Sequence, residues 1–136
     1  MMKECNKTIT VFNARMDAED GYDVYYPTII RNVSIYLQVA SEVTLSGLNA
    51  ANRVTIRIPV DADFSGKTYV KPVEYANADV STAFTLKQGD VIVEAEESER
   101  LDPVQLKAKY GDVITILGVT DNRSRPRAQH WKVVGT

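Results

Sequence analysis

The chain has 136 residues, 44% of them hydrophobic and 25% charged, with a formal net charge of −2. This composition is typical of a single folded domain, residues 1–136, and argues against disorder and against a general attraction to nucleic acid. The single cysteine, Cys5, excludes an internal disulfide, and because no apolar run has the length of a membrane span or signal peptide, we expect neither export nor membrane insertion.

Three segments in the first half of the chain alternate apolar and polar residues with a period of two, which predicts β-strands with one buried face. They are Thr8 to Phe12, Val33 to Val39 and Val54 to Ile58. In the second of them Val33, Ile35, Leu37 and Val39 form the apolar face.

Residues 61–88 fit neither a strand pattern nor a helix pattern. Pro72 interrupts an apolar run, and residues 76–82 are small or polar, so we expect a loop excursion from the barrel with one edge strand. Tyr69 and Tyr75 flank Pro72, and tyrosine is frequent at protein interfaces because it combines an apolar ring with a polar tip. Both are candidate interface residues.

A short strand, Val91 to Ala95, leads into an acidic stretch that contains Glu94, Glu96, Glu97, Glu99 and Asp102. We expect this stretch to be mostly solvated, with Glu96 and Glu97 as candidate interface residues. Asp102 can cap a helix, Pro103 suits its first position and Gly111 suits its end, which predicts one short helix near residues 102–110.

The chain ends in a predicted hairpin, Val113 to Val119 and His130 to Val134, with a long polar tip. Arg123, Arg125 and Arg127 stand at alternate positions of this tip and in an extended chain would project from the same side. They would meet an acidic surface on a neighbouring subunit or the phosphates of nearby DNA; the alternative is a solvated tip without a partner. The stretch with Glu96 and Glu97 would complement the tip in a heterologous contact between copies.

The six strand segments predict an all-β fold of six to eight mostly antiparallel strands. A small closed barrel or a sandwich covers the sheet edges and is the most economical architecture.

No residue pattern of a known reaction or metal site is present, so we expect no catalytic residue, no metal, no cofactor and no enzymatic activity. His130 is the only histidine and lacks the neighbours of a zinc motif, so a structural or surface role is favoured. Asp61 and Asp63 could bind a cation together with Asp79 or Asp90, but aspartates that cap their own turns are the favoured interpretation.

The order of five segments, Thr8 to Arg15, Asp20 to Ile30, Val54 to Pro59, Thr85 to Val93 and Ile116 to Arg123, resembles a family of small proteins encoded by phages and prophages among the minor capsid and tail genes. The chain is more distantly similar to head-tail connector proteins of the stopper type. The similarity lies in the order of three motifs along the chain, which matches their order in the stoppers: Arg57-Ile58, Gly89-Asp90 and Asp121 to Arg127. The chain departs from the stoppers in its brief link Leu45 to Asn52 and in its long excursion at 61–88.

The resemblance implies a virion protein that assembles as a homo-oligomeric ring in contact with the phage portal, adaptor and tail proteins, close to DNA. It would reside in the host bacterial cytoplasm during assembly, and isolated subunits could be monomers. A tail-terminator or minor capsid protein is an alternative within the same setting. From another class, a small-ligand or carbohydrate-binding barrel stays open, and a deep aromatic-lined pocket would favour it.

Overall fold

Six antiparallel strands close into a barrel in the computed structural model, which describes residues 5–16, 21–38, 43–44, 47–48, 53–124 and 126–136. The elements in chain order are β1 (Lys7–Met16), β2 (Asp23–Gln38), β3 (Val43–Thr44), β4 (Gly47–Leu48), β5 (Arg53–Pro59), β6 (Thr68–Tyr69), α1 (Pro72–Tyr75), β7 (Ala83–Phe84), β8 (Val91–Val93), α2 (Pro103–Tyr110), β9 (Ile114–Asp121) and β10 (His130–Gly135).

The barrel order is β1-β2-β5-β10-β9-β8, and every ladder of the barrel is antiparallel. Its six strands overlap the six segments predicted from alternation, so the predicted all-β fold is confirmed, and of the barrel and the sandwich it is the barrel that forms. Two pairs of short strands lie outside the barrel: β3 with β4, and β6 with β7, which run parallel. The link that the sequence places at Leu45 to Asn52 lies largely outside the described residues.

Most of the buried apolar side chains of the strands point into the barrel and form the main core. Ile56 of β5 pairs with Ile35 of β2 and with Val133 of β10, so three aliphatic side chains meet in one layer of the core. A second, smaller cluster, Phe12, Val91, Val93 and Leu106, lies between the barrel wall and α2. The interior is therefore filled by side chains.

β2 bends at Asn32, whose φ of 68° lies in the left-handed region, where asparagine is tolerated better than most residues. The ladder with β1 shifts register at the same place, between Lys7 and Thr8. The first half of β2 pairs with β1 and the second half with β5. One strand thus turns the corner between the two halves of the barrel.

The segment at 61–88 lies outside the six strands of the barrel. In place of the one edge strand expected there, it contains the short parallel pair β6 and β7 together with α1, and it packs back onto the core. Phe84 and Leu86 are fully or almost fully buried in the main core, and Phe64 and Tyr69 pack against it. Pro72 begins α1 rather than interrupting a strand. The segment folds back across one end of the barrel, because its alternate apolar residues are needed there to close the core.

The predicted helix is confirmed as α2. The Asp102 carboxylate accepts a hydrogen bond from the Gln105 backbone N–H at 2.8 Å, and the Gln105 side chain accepts one from the Asp102 N–H at 3.0 Å. This reciprocal pair is a capping box, and Gly111 with φ 83° ends the helix.

Candidate interface surfaces

Arg123, in the tip after β9, is held by contacts within its own chain. Its guanidinium donates to Asp121 in a bidentate ion pair, with Nε–Oδ1 at 2.9 Å and Nη2–Oδ2 at 2.6 Å. It also lies over the rings of Tyr69 and Trp131, at 5.1 and 5.0 Å from their centroids. The hydrogen bond from Arg123 lowers the pKa of Asp121. The guanidinium of Arg123 therefore has partners within its own chain and does not project freely, as an extended tip would have it.

The other two arginines of the tip differ from Arg123. Arg127 is exposed beside a shallow groove that Pro59, Val60 and Asp61 line from the opposite side. Arg125 lies outside the described residues. Of the two tip arginines that the structure describes, only Arg127 presents its charge to solvent without an ion-pair partner.

Tyr69 belongs to an aromatic cluster that fills one end of the barrel. Its ring centroid lies 4.8 Å from that of Trp131 and 5.9 Å from that of Phe84, and Phe64 stacks on Phe84 at 5.3 Å. Partial burial raises the pKa of the Tyr69 hydroxyl. Trp131 Nε1 has no hydrogen-bond partner among the described residues. Tyr69 is half-buried, so only its edge is available to a partner.

Tyr75, the other tyrosine nominated from the sequence, is only 2% exposed, so the expectation of an accessible Tyr75 was wrong. It lies at the end of α1, and the Arg15 guanidinium sits 5.9 Å above its ring. Burial raises the pKa of Tyr75 to about 12. Its role is to pack α1 against the barrel.

Glu97 is also buried, unlike the rest of its acidic stretch. Its carboxylate accepts hydrogen bonds from Lys109 Nζ at 2.5 Å and from the Tyr110 hydroxyl at 2.8 Å. These two donors lower the pKa of Glu97 to about 2. Its backbone N–H donates to Thr10 Oγ1 at 3.0 Å, which fixes the stretch to β1. Glu97 therefore serves the fold and is not accessible as an interface residue.

Glu96 is exposed, as expected, and pairs with Arg31 of β2 at 2.9 Å. Glu94 and Glu99 on either side of it are exposed and form no salt bridge within the described part of the chain. Two carboxylates of the stretch thus remain open to a partner.

Asp90 anchors the turn before β8. Its carboxylate accepts hydrogen bonds from Asn13 Nδ2 at 2.8 Å, from the Ala14 N–H at 3.1 Å and from Lys87 Nζ. Asn13 Nδ2 also donates to the Thr85 carbonyl at 2.7 Å. Burial raises the pKa of Asp90 in spite of these donors. The network joins β1 to the segment 85–90. The Asp90 carboxylate is therefore occupied by hydrogen bonds within the fold.

Two other nominated aspartates, Asp63 and Asp79, cap turns, which is the favoured interpretation. Asp63 Oδ1 accepts from the Ser65 N–H at 3.0 Å, and Asp79 Oδ1 accepts from the Ser81 N–H at 2.9 Å. Within the described ranges, no group of three or more His, Cys, Asp or Glu side chains is arranged to hold a metal ion.

His130 is a structural residue, as favoured from the sequence. It is 3% exposed, and its Nδ1 donates to the Ala128 carbonyl at 2.6 Å while Nε2 accepts from Asn122 Nδ2 at 3.3 Å. Both ring nitrogens therefore hold the tip against β10.

One surface was missed by the sequence argument. Arg53 and Arg57 of β5 and Lys132 of β10 occupy the outward positions between buried residues. The signal was present, since these cations stand at the polar positions of two predicted strands, but only the barrel order brings them together. We call these three residues the cationic face.

Comparison with known proteins identifies one family. A model of a "family of unknown function (DUF6751)" matches residues 4–136. No curated protein matches the chain, and no solved structure does. The described helices are too short and too polar to cross a membrane. Because the family model covers nearly the whole length, the chain belongs to the DUF6751 family of unknown function.

Proposed function

We propose that the protein is a structural component of a phage or prophage virion, a head-tail connector of the stopper type. It acts by assembling as a ring and by contacting the portal or adaptor on one side and tail proteins on the other. In this proposal the protein works in the virion and is present in the bacterial cytoplasm during assembly.

The observation that carries the proposal is the placement of the five segments on which the resemblance rests. Within the described residues, they form β1, β2, β5, the turn and strand of β8, and β9 with the tip. The segments therefore belong to one closed barrel rather than to unrelated parts of the chain.

The filled interior of the barrel also supports a role for its outer surface. Aromatic side chains at the end of the barrel pack on each other and on Arg123, as Tyr69 and Trp131 do. A protein whose interior is occupied in this way offers its walls and loops to partners. The exposed Arg127 and the segment at 61–88 are then suited to contacts along the axis of a ring.

Deletion of the gene from an inducible prophage that encodes the protein tests the proposal. We expect particles to stop at separate heads and free tails of normal length, visible by negative-stain electron microscopy. Supplying the intact chain from a plasmid should restore joined particles, and mass spectrometry should detect the chain in them.

The same images distinguish the alternatives. Tails of abnormal length would indicate a tail terminator, and malformed heads would indicate a minor capsid protein. Joined, infectious particles that lack the chain would contradict every virion role. In that case binding of small ligands by the barrel becomes the hypothesis to examine.

A further inference from the structure

The cationic face has a repulsive arrangement that no salt bridge among the described residues relieves. Arg57 and Lys132 are directly opposite each other in the β5–β10 ladder. Arg53 lies on the same strand as Arg57, four residues before it. In the described part of the chain none of the three takes part in a salt bridge. Like charges in directly opposed cross-strand positions destabilise a sheet. An anionic partner would remove that cost.

The cationic face also offers apolar contact area. Tyr36 of β2 is 60% exposed and pairs with Thr55, and Thr55 pairs on its other side with Val134. This row runs between Arg53 and the pair Arg57–Lys132. Tyrosine and arginine are found at protein interfaces more often than on other surfaces. The combination fits a protein partner better than a bare polyanion.

A complementary, acidic surface lies elsewhere on the same barrel, where the chain that follows β8 crosses β1. The strand order places β8 three strands from β5, and β1 three strands from β10. Residues 94–99, which we call the acidic segment, follow β8 and pack on β1 through the Thr10 hydroxyl. Glu94 and Glu99 are its exposed carboxylates without a salt bridge among the described residues.

We infer that the partner of the cationic face is a second copy of this chain, which docks its acidic segment there. Contact between two different surfaces is heterologous, and repetition of that contact closes a ring or extends a filament. This inference rests on the proposed function and deepens it, because it names the lateral contact of the ring.

The contact is weak in isolation. The three strands β2, β5 and β10 at roughly 4.8 Å spacing make a face only about 10 Å wide, which is smaller than a standard stable interface. Exposed ion pairs add little at high salt. We therefore expect self-association that grows with protein concentration, is strongest at low ionic strength and disappears in concentrated salt.

Sedimentation velocity of the full chain, measured over a range of protein and salt concentrations, tests the inference. Two variants are compared with the parent: Arg53→Glu with Arg57→Glu, and Glu94→Lys with Glu99→Lys. Each alone should associate at least roughly tenfold more weakly, since like charges then face each other across the contact. Circular dichroism checks that both remain folded.

A mixture of the two variants is the decisive arm. In an equimolar mixture the reversed face of one meets the reversed segment of the other, and the two native surfaces also meet. Association should therefore return to the level of the parent chain. A control variant, Lys71→Glu with Arg127→Glu, has the same net charge as the first variant but lies outside both surfaces, and it should associate like the parent.

Three results would overturn the inference. They are a parent chain that stays monomeric at every concentration and salt, a mixture that does not associate, and a control that loses association as the first variant does. Binding of a fluorescent single-stranded oligonucleotide by the parent, lost in the first variant and kept in the second, together with a monomeric parent, would assign the face to nucleic acid instead. Monomeric protein that is still needed to join heads and tails would refute the lateral contact alone, whereas self-association without any presence in particles would refute the virion role alone.

Discussion

Glu97 is the residue where three parts of the molecule are tied together. Its backbone N–H is bound to Thr10 of β1, and its carboxylate to Lys109 and Tyr110 at the end of α2. Hydrogen bonds to a buried charged group are stronger than those between neutral groups. A single side chain therefore holds α2 and the acidic segment against the barrel.

Stability should depend on the ionisation of Glu97 in acid. The pKa of its carboxyl falls from 4.5 to about 2 on folding, so its contribution is complete above pH 4.5 and is lost as the pH drops towards about 2. We expect Glu97→Gln to lower the free energy of unfolding at neutral pH by roughly 1 to 2 kcal/mol. The variant should also lose less stability than the parent across that acidic interval, as measured by urea unfolding.

Glu94→Gln is the matched control, because Glu94 is exposed and forms no salt bridge in the described ranges. Its unfolding curves should follow those of the parent at each pH. Equal acid sensitivity of Glu97→Gln and the parent would contradict the role given to Glu97.

The sequence could not distinguish Glu97 from Glu96, or Arg123 from Arg127. Each pair has the same charge and similar neighbours, and the difference comes from residues distant along the chain. The contact of Arg123 with the Tyr69 ring and the ion pair of Glu97 with Lys109 both depend on the folded barrel. Burial of Tyr75 was missed for the same reason.

At the level of elements, the contact between β9 and β10 leaves no room for a side chain at Gly135. A Cβ atom at Gly135 would lie 2.6 Å from Ile114 Cγ2 and 2.6 Å from the Thr115 carbonyl oxygen. One of those neighbours is backbone and cannot yield easily. A Cβ atom at Gly118 on the adjacent strand, in contrast, would have no other atom within 4 Å.

Gly135→Ala should therefore destabilise the protein by about 1 to 3 kcal/mol, because the methyl group forces β10 away from β9. Gly118→Ala is the paired comparison and should change stability by no more than roughly 0.5 kcal/mol. Thermal unfolding followed by circular dichroism measures both. Similar melting temperatures for the two variants would mean that β9 can move aside.

The barrel strands and α2 were predictable because the signals are local. Alternation marks buried faces, and Asp102 with Gln105 forms a capping box within four residues. The elements that escaped, β6, β7 and α1, are two to four residues long and have too few positions to show a period. Burial of their apolar residues depends on the barrel core that they cover and could not be predicted from the local sequence.

For the whole molecule, packing of the segment at 61–88 on the barrel core means that we expect the two to unfold together. Phe84 is completely buried, and it contacts the rings of both Phe64 and Tyr69. Barrel and segment thus share one core. It also means that the segment cannot be exchanged as an independent loop.

Phe84→Ala should lower the free energy of unfolding by roughly 3 to 5 kcal/mol, the usual cost of removing a buried phenylalanine ring. Val73→Ala, in the same segment but 80% exposed, should be nearly neutral. Chemical unfolding followed by Trp131 fluorescence reports on both variants, since that ring lies in the same cluster. A small effect of Phe84→Ala would show that the segment is dispensable for the core.

β8 is the shortest strand of the barrel wall. It pairs three residues with β1 and two with β9, whereas β1 pairs with β2 along its whole length. A cylinder of strands opens most easily where the fewest backbone hydrogen bonds must break, so we expect local opening of this wall to begin at β8. The three side chains of that strand are all buried, and each opening event wets them at once. Burial of Val91, Ile92 and Val93 thus keeps the barrel closed at β8. The hydrophobic contribution compensates there for the small number of backbone hydrogen bonds.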